Sequence, residues 1–123
     1  MTRTILIVDD TKDLRENLRD SLEIEGFHVL TARNGKDAIT ILIDTIPHLI
    51  ITDLVMPVLD GYDLIRTVRK NNLWREVPII VYSAVSLAET ATGVIDLGAD
   101  HFINKPSNID DLLASIEKIL AQK

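Results

Sequence analysis

Apolar runs and amphipathic stretches alternate along the whole chain. The runs Thr4–Val8, Phe27–Thr31, Leu49–Thr52, Pro78–Ser83 and His101–Asn104 are strand candidates. Ile5-Leu6-Ile7-Val8 and Ile79-Ile80-Val81 are near-continuous rather than alternating, as strands covered on both faces of a parallel sheet are. Between the runs the period becomes helical. Leu14, Leu18 and Leu22 recur every fourth residue, with Arg15, Glu16 and Arg19 on other faces, so one stripe packs inward. Gly26 stops that helix. Ala38, Ile39, Ile41 and Leu42 mark a short second helix ending before Pro47. Leu64, Ile65 and Val68 mark a third, opened near Gly61 and closed by Asn71-Asn72. A fourth, Leu87 to Leu97, has the poorest propensity because Thr90, Thr92 and Gly93 fall inside it. Either tertiary packing holds it, or it is left loose so that it can shift. The last helix begins near Ile109 and carries Leu112, Leu113, Ile116, Ile119 and Leu120. Asn108 with Asp111 resembles a cap pairing at its start.

Strand and helix alternating from end to end predict an α/β sandwich, doubly wound around a parallel sheet with right-handed crossovers. With 123 residues, 46% of them hydrophobic, and no repeat, low-complexity tract or linker, residues 1–123 read as one domain. Ligands of such sheets bind at the carboxyl ends of the strands, where the strand order reverses.

The residues that follow each strand therefore matter most. After the first come Asp9 and Asp10, and after the third comes Asp53. The fourth ends in Ser83-Ala84 and the fifth in Lys105-Pro106. Arg33 and Asn34, after the second, fall outside this chemistry. Taken singly each residue has an ordinary explanation: an acid or Thr11 capping the first helix, a loop Asp53, a small core Ser83, a solvated Lys105. Their convergence on one rim is what those explanations do not cover.

Composition narrows the partners. A net charge of −6 argues against nucleic acid as the main partner, since phosphate backbones require a basic face. The absence of cysteine excludes disulfides and thiolate metal sites. His28, His48 and His101 are isolated and have no metal-ligand spacing. Neither a secretory signal nor a run of about 18 apolar residues is present, so a soluble, cytoplasmic protein without a membrane partner is expected. The only tryptophan, Trp74 in N-N-L-W-R-E-V-P, is expected to be an exposed loop residue with local packing.

Adjacent carboxylates repel, by about 4 kcal/mol at 4 Å for an effective dielectric near 20. A cation relieves this, and an all-oxygen donor set suits Mg²⁺, with Mn²⁺ as an alternative. An aspartate is also a nucleophile already ionised at neutral pH. Phosphoryl transfer asks mainly for positioning and for neutralisation of the equatorial oxygens. Mg²⁺, the Lys105 ammonium and the Ser83 hydroxyl can take one oxygen each. The candidate acceptor is Asp53, because it comes from the central strand between the acid pair and the Ser83/Lys105 side.

V-D-D at the first strand end, T-D-L-V-M-P-V-L-D-G around Asp53, Y-S-A after the fourth strand and G-A-D-H-F-I-N-K-P before the last helix occur in order. With them the sequence resembles a response-regulator receiver domain over essentially its whole length. That resemblance implies a flavodoxin-like (βα)5 sandwich with strand order 2-1-3-4-5, and phosphorylation by a histidine kinase or histidine phosphotransfer protein. It matches Asp53 to the phosphoacceptor, and Asp9 and Asp10 to the metal pair completed by the Val55 backbone carbonyl. Ser83 matches the hydroxyl that meets the phosphoryl group, Lys105 its lysine partner and Phe102 the switch aromatic. Pro57, Gly61 and Ala84 shape the loops of the site, and Pro106 implies a cis Lys-Pro bond.

The resemblance further implies a regulatory switch rather than a dedicated enzyme, one that assists its own phosphorylation and dephosphorylation. Its output face is made by the fourth helix, fifth strand and last helix. There a downstream target or an attached output domain would bind, and a phosphorylation-dependent homodimer could use the same face; the domain itself would not bind nucleic acid. Phe102 lacks the phenolic hydroxyl of the tyrosine often found at this place. Val55 and Val85, where the family varies the surroundings of the attacking water, are apolar, so slow dephosphorylation is expected. Rival readings fit less well. A phosphohydrolase resembling haloacid dehalogenases would carry D-x-D and a cap domain, where this chain has D-D-T. A flavodoxin-like cofactor carrier would place a phosphate loop where Asp9 and Asp10 would repel it. No G-x-x-x-x-G-K-[ST] supports nucleotide hydrolysis, and the intact five-residue site argues against a module that is never phosphorylated.

Overall fold

The computed structural model describes residues 2–85 and 88–122. Its elements follow the order β1 (Thr4–Val8), α1 (Lys12–Ile24), β2 (His28–Ala32), α2 (Gly35–Asp44), β3 (Leu49–Thr52), α3 (Gly61–Lys70), β4 (Ile79–Ser83), α4 (Ala88–Leu97), β5 (His101–Asn104) and α5 (Ile109–Ala121). All strand pairs are parallel and the sheet runs β2-β1-β3-β4-β5. The order reverses between β1 and β3, where Val8 sits level with Thr52, so the residues after both strands emerge side by side.

The continuous apolar strands serve two cores. Leu6, Val8, Ile50, Ile79 and Val81 face α2, α3 and α4, where Ala38, Leu42, Leu64, Ile65, Val68 and Val94 meet them. Ile5, Ile7, Leu49, Ile51 and Ile80 face Leu18 and Leu22 of α1 and Leu112 and Ile116 of α5. A strand buried on both faces has no polar side, which is why β1, β3 and β4 read as unbroken apolar runs.

Local differences from the expected elements have identifiable causes. β2 starts one residue late because the Phe27 N–H still closes onto the Leu22 carbonyl at the end of α1, with Gly26 at φ 96° making the turn. β4 starts at Ile79 because Pro78 contributes only its carbonyl, which accepts from Ile50 N–H. Asn34 and Asp60 cap α2 and α3 by accepting from the N–H groups of Asp37 and Asp63. Asn108 caps α5 through Asp110 rather than through a pairing with Asp111. Leu87, the expected first residue of the fourth helix, lies outside the described residues.

Trp74 corrects the expectation of an exposed loop indole. It is only 7% exposed and belongs to the core beneath α3 and β4. The turn after α3 folds back through Trp74 N–H to Asn71 O and Val77 N–H to Trp74 O, which swings the ring inward. His48 also does more than sit at the surface: its Nδ1 accepts from the Thr4 N–H at 2.9 Å.

Candidate functional site

The rim at the carboxyl end of the sheet is built from β1, β3, β4 and β5. Asp9 leaves β1 fully hydrogen-bonded: its N–H donates to the Ala32 carbonyl at 3.0 Å, and its Oδ1 accepts from Thr11 N–H at 2.9 Å. Asp10 follows, exposed. Asp53 leaves β3 with its N–H on the Val8 carbonyl at 3.0 Å and its Oδ1 accepting from Leu54 N–H at 2.7 Å. Ligand atoms of Asp9, Asp10 and Asp53 lie within 4.8 Å of one another.

One cation answers this cluster. Lys105 Nζ donates to Asp9 Oδ2 at 2.6 Å and to Asp53 Oδ2 at 3.1 Å. Burial pulls the ammonium's pKa down, but the hydrogen bonds and charges of Asp9 and Asp53 outweigh it, and the net shift is upward. Lys105 therefore stays charged at neutral pH. It also lies 5.5 Å from the centre of the Tyr82 ring, a favourable cation–π placement.

The loop after Asp53 alternates buried and exposed positions. Leu54 and Met56 are buried and Leu59 is half-buried, while Val55, Pro57 and Val58 face solvent. That loop is closed at both ends. Gly61 N–H donates to the Leu54 carbonyl at 2.9 Å, and a Cβ on Gly61 would meet the Asp53 carbonyl and sit 2.8 Å from Leu54 Cα. Only glycine lets α3 start this close to Asp53. Leu59 O in turn accepts from Gly35 N–H at the start of α2.

Ser83 is buried at the end of β4, and its carbonyl accepts from Lys105 N–H at 2.9 Å, so these two residues lie on adjacent strands. Ala84 is exposed just beyond. Phe102 stands beside Val81 in the β4–β5 pairing and is half-buried against the α2–α4 core. The Lys105-Pro106 bond is cis, as expected from Pro106. The rim thus brings together Asp9, Asp10, Asp53, Ser83 and Lys105, with Phe102 one layer behind.

Two contributors escaped the sequence reading. Tyr82, inconspicuous within Y-S-A, alternates with Val81 onto the α1/α5 side, beneath Lys105. Arg15 shows in the sequence only as a polar face of α1, yet its Nη1 donates to the Asp9 carbonyl at 2.7 Å. Backbone acceptors leave no residue pattern that could have announced that contact.

A doubly wound sheet carrying three carboxylates and a lysine at its switch point defines a class of α/β proteins whose rim suits a cation and a phosphoryl group. Residues 5–117 match the family described as the response regulator receiver domain, and the chain belongs to it. It is 38% identical over 117 residues to a probable transcriptional regulator, ycf27, of Porphyridium aerugineum, covering 94% of this chain and 47% of that protein. It is 33% identical over 118 residues to the phosphate regulon transcriptional regulatory protein PhoB of Pseudomonas aeruginosa, covering 96% of this chain and 52% of that one. The chain spans about half the length of these curated relatives.

Among solved structures, the receiver domain of a signal transduction histidine kinase from Syntrophus aciditrophicus superposes with a TM-score of 0.91 at 34% identity, covering 98% of this chain and 92% of that one. The chemotaxis response regulator CheY4 of Vibrio cholerae gives 0.90 at 26% identity, covering 97% and 99%. The chain is thus a receiver domain of the kind found in two-component response regulators, a regulatory domain with the 2-1-3-4-5 sheet. Among the described residues, no helix is long and apolar enough to cross a membrane.

Proposed function

We propose that residues 1–123 act as one receiver unit in which Asp53 is the phosphoacceptor. The observation that carries this reading is the Lys105 ammonium bridging Asp9 and Asp53 at the switch point of a family-matched sheet. The donor is a phosphohistidine on a histidine kinase or phosphotransfer protein. An ionised oxygen of Asp53 attacks phosphorus and the P–N bond breaks. The imidazole nitrogen leaves with the bonding electron pair and is reprotonated from solvent.

Asp9, Asp10 and Asp53, with the backbone carbonyl of Val55, would hold Mg²⁺ or Mn²⁺. The all-oxygen donor set and its 4.8 Å span fit such an ion. When bound, the ion supplies positive charge for one phosphoryl oxygen. Lys105, kept charged by its two carboxylate partners, neutralises a second oxygen, and the Ser83 hydroxyl donates to the third.

Phosphorylation adds charge and acceptor oxygens beside Ser83. Ser83 and Ala84 close toward them, Phe102 turns inward, and α4, β5 and α5 present a changed face. Pro57, Gly61 and Pro106 hold the loops in which this happens. A partner that prefers the changed face shifts the population by its differential affinity. That partner is a downstream target, an attached output domain or a second copy, and the domain makes no direct contact with nucleic acid. Family membership also supports a cytoplasmic setting and a switch that assists its own phosphorylation and dephosphorylation without being a dedicated enzyme.

Incubation with acetyl phosphate and Mg²⁺ tests the assignment. One added phosphoryl group mapping by mass spectrometry to Asp53, and lost in Asp53→Asn, is expected. Modification at another residue, or equal modification of Asp53→Asn, rejects it.

A further inference from the structure

The acids of the rim are not placed equally well. Every polar atom of Asp9 is engaged: N–H by the Ala32 carbonyl, Oδ1 by Thr11 N–H, Oδ2 by Lys105 and the carbonyl by Arg15. Asp10 is exposed, and among the described residues its carboxylate meets no hydrogen-bond or ion-pair partner. Its position is inherited from the backbone, above all from the peptide joining it to Asp9. Arg15 Nη1 holds the oxygen of that peptide at 2.7 Å, from a partly buried side chain.

Arg15 is oddly sited for an ordinary helix residue. It lies one turn into α1, whose backbone starts with Arg15 N–H on the Thr11 carbonyl, and its side chain reaches back past the helix N-terminus. The helix dipole disfavours a cation there. The contact it makes in compensation is a charge-assisted hydrogen bond to the one peptide that orients the acid pair.

We infer that Arg15 is a positioning residue for the cation site: by fixing the Asp9–Asp10 peptide it sets the direction of the Asp10 carboxylate and hence the affinity for a divalent ion. The inference rests on reading Asp9, Asp10 and Asp53 as the ion's ligands. Charge alone predicts the opposite effect, because a nearby guanidinium repels Mg²⁺ and its removal would tighten binding. The two contributions therefore have opposite signs, and substitution separates them.

The test is Mg²⁺ binding to the intact chain, by calorimetry and by amide chemical shifts of residues 9–12, for wild type, Arg15→Met and Arg15→Lys. Folding of each variant is checked by thermal unfolding in EDTA. The expected result is an affinity at least about fivefold weaker in Arg15→Met, with Arg15→Lys recovering part of the loss through its single donor. A changed Mg²⁺-induced shift at Asp10 in the variants accompanies it. Unchanged or tighter binding by Arg15→Met overturns the inference. So does a Lys variant indistinguishable from Met while equally well folded. Wild-type protein that binds no Mg²⁺ instead overturns the reading of the three acids as ligands, a separate failure visible before any variant is made.

Discussion

Lys105 Nζ stands closer to Asp9 than to Asp53, at 2.6 Å against 3.1 Å. It thus neutralises the buried Asp9 as well as Asp53, the proposed acceptor. Asp9 is only 4% exposed, and a buried carboxylate left without its partner is costly. Lys105→Met should lower stability in EDTA by about 2 kcal/mol, less than the full cost of a buried unpaired charge because water reaches Asp53. Mg²⁺ should return most of that loss and bind at least as tightly as to wild type, since a competing cation has gone. Phosphorylation by acetyl phosphate should fall sharply. Chemical unfolding with and without Mg²⁺ measures the first two. A variant as stable as wild type in EDTA would show that the bridge contributes nothing.

Arg69 ties α3 to the far end of α4. Its Nε donates to the Gly98 carbonyl at 2.8 Å, Nη1 to the carbonyls of Arg75 and Val77 at 3.0 and 2.6 Å, and Nη2 to Asp100 Oδ2 at 2.9 Å. Asp100 Oδ2 also accepts from Ile79 N–H, so the clamp reaches the first residue of β4. Arg69→Met strips a charged donor from three carbonyls, two of them in partly buried contacts, and should cost about 2–4 kcal/mol in urea unfolding. Arg69→Lys should restore less than half, because an ammonium lacks the planar fork. Equal stability of the Lys variant and wild type would refute the geometric part of the argument.

Val58 carries the chain through φ 72°, with Leu59 N–H closing onto the Pro57 carbonyl at 2.9 Å across it. This is a γ-turn centred on a β-branched residue, a conformation such residues resist. Its side chain is 74% exposed, so little burial offsets the strain. Val58→Gly should stabilise the fold by about 0.5–1 kcal/mol, because glycine has no Cβ to clash at positive φ in a γ-turn. A melting temperature raised by about 2–5 °C is the readout. A lowered one would mean that the valine makes contacts its exposure does not suggest.

These residues also mark where the sequence stops speaking. Ile5 to Val8, Ile79 to Val81 and the Leu14-Leu18-Leu22 stripe announce strands and helix because burial acts on side chains, and the rim acids and lysine are legible once the alternation places them at the strand ends. Trp74 departs from the expected exposed loop position because its burial depends on how the turn after α3 folds back, a backbone event. Arg15, Arg69 and His48 act on peptide groups, which every residue possesses, so no spacing of side chains betrays them. The positive φ of Val58 contradicts its own propensity, and a local rule broken beside Asp53 is where local reading should fail.

Val55 lies two residues beyond Asp53 and is 68% exposed, an apolar side chain on the loop that follows the rim acid. Val85 is half-buried beyond Ser83, its N–H meeting Ser83 Oγ at the long distance of 3.4 Å. Neither side chain can accept or donate a hydrogen bond, so neither can orient a water for attack on an aspartyl phosphate. Hydrolysis then gains no water positioned by either side chain, and the phosphorylated form should persist. Val55→Asn places an amide within reach of that water without touching the acids or Lys105. Lowering the barrier by ~1.4 kcal/mol would speed decay about tenfold, the upper end of what one positioned hydrogen bond supplies. Decay of the acyl phosphate is followed after removing excess acetyl phosphate, at fixed Mg²⁺. Faster loss in Val55→Asn, with Val55→Ile matching wild type, is expected. Equal rates in all three would mean that side-chain polarity at this position does not govern the lifetime of the signal.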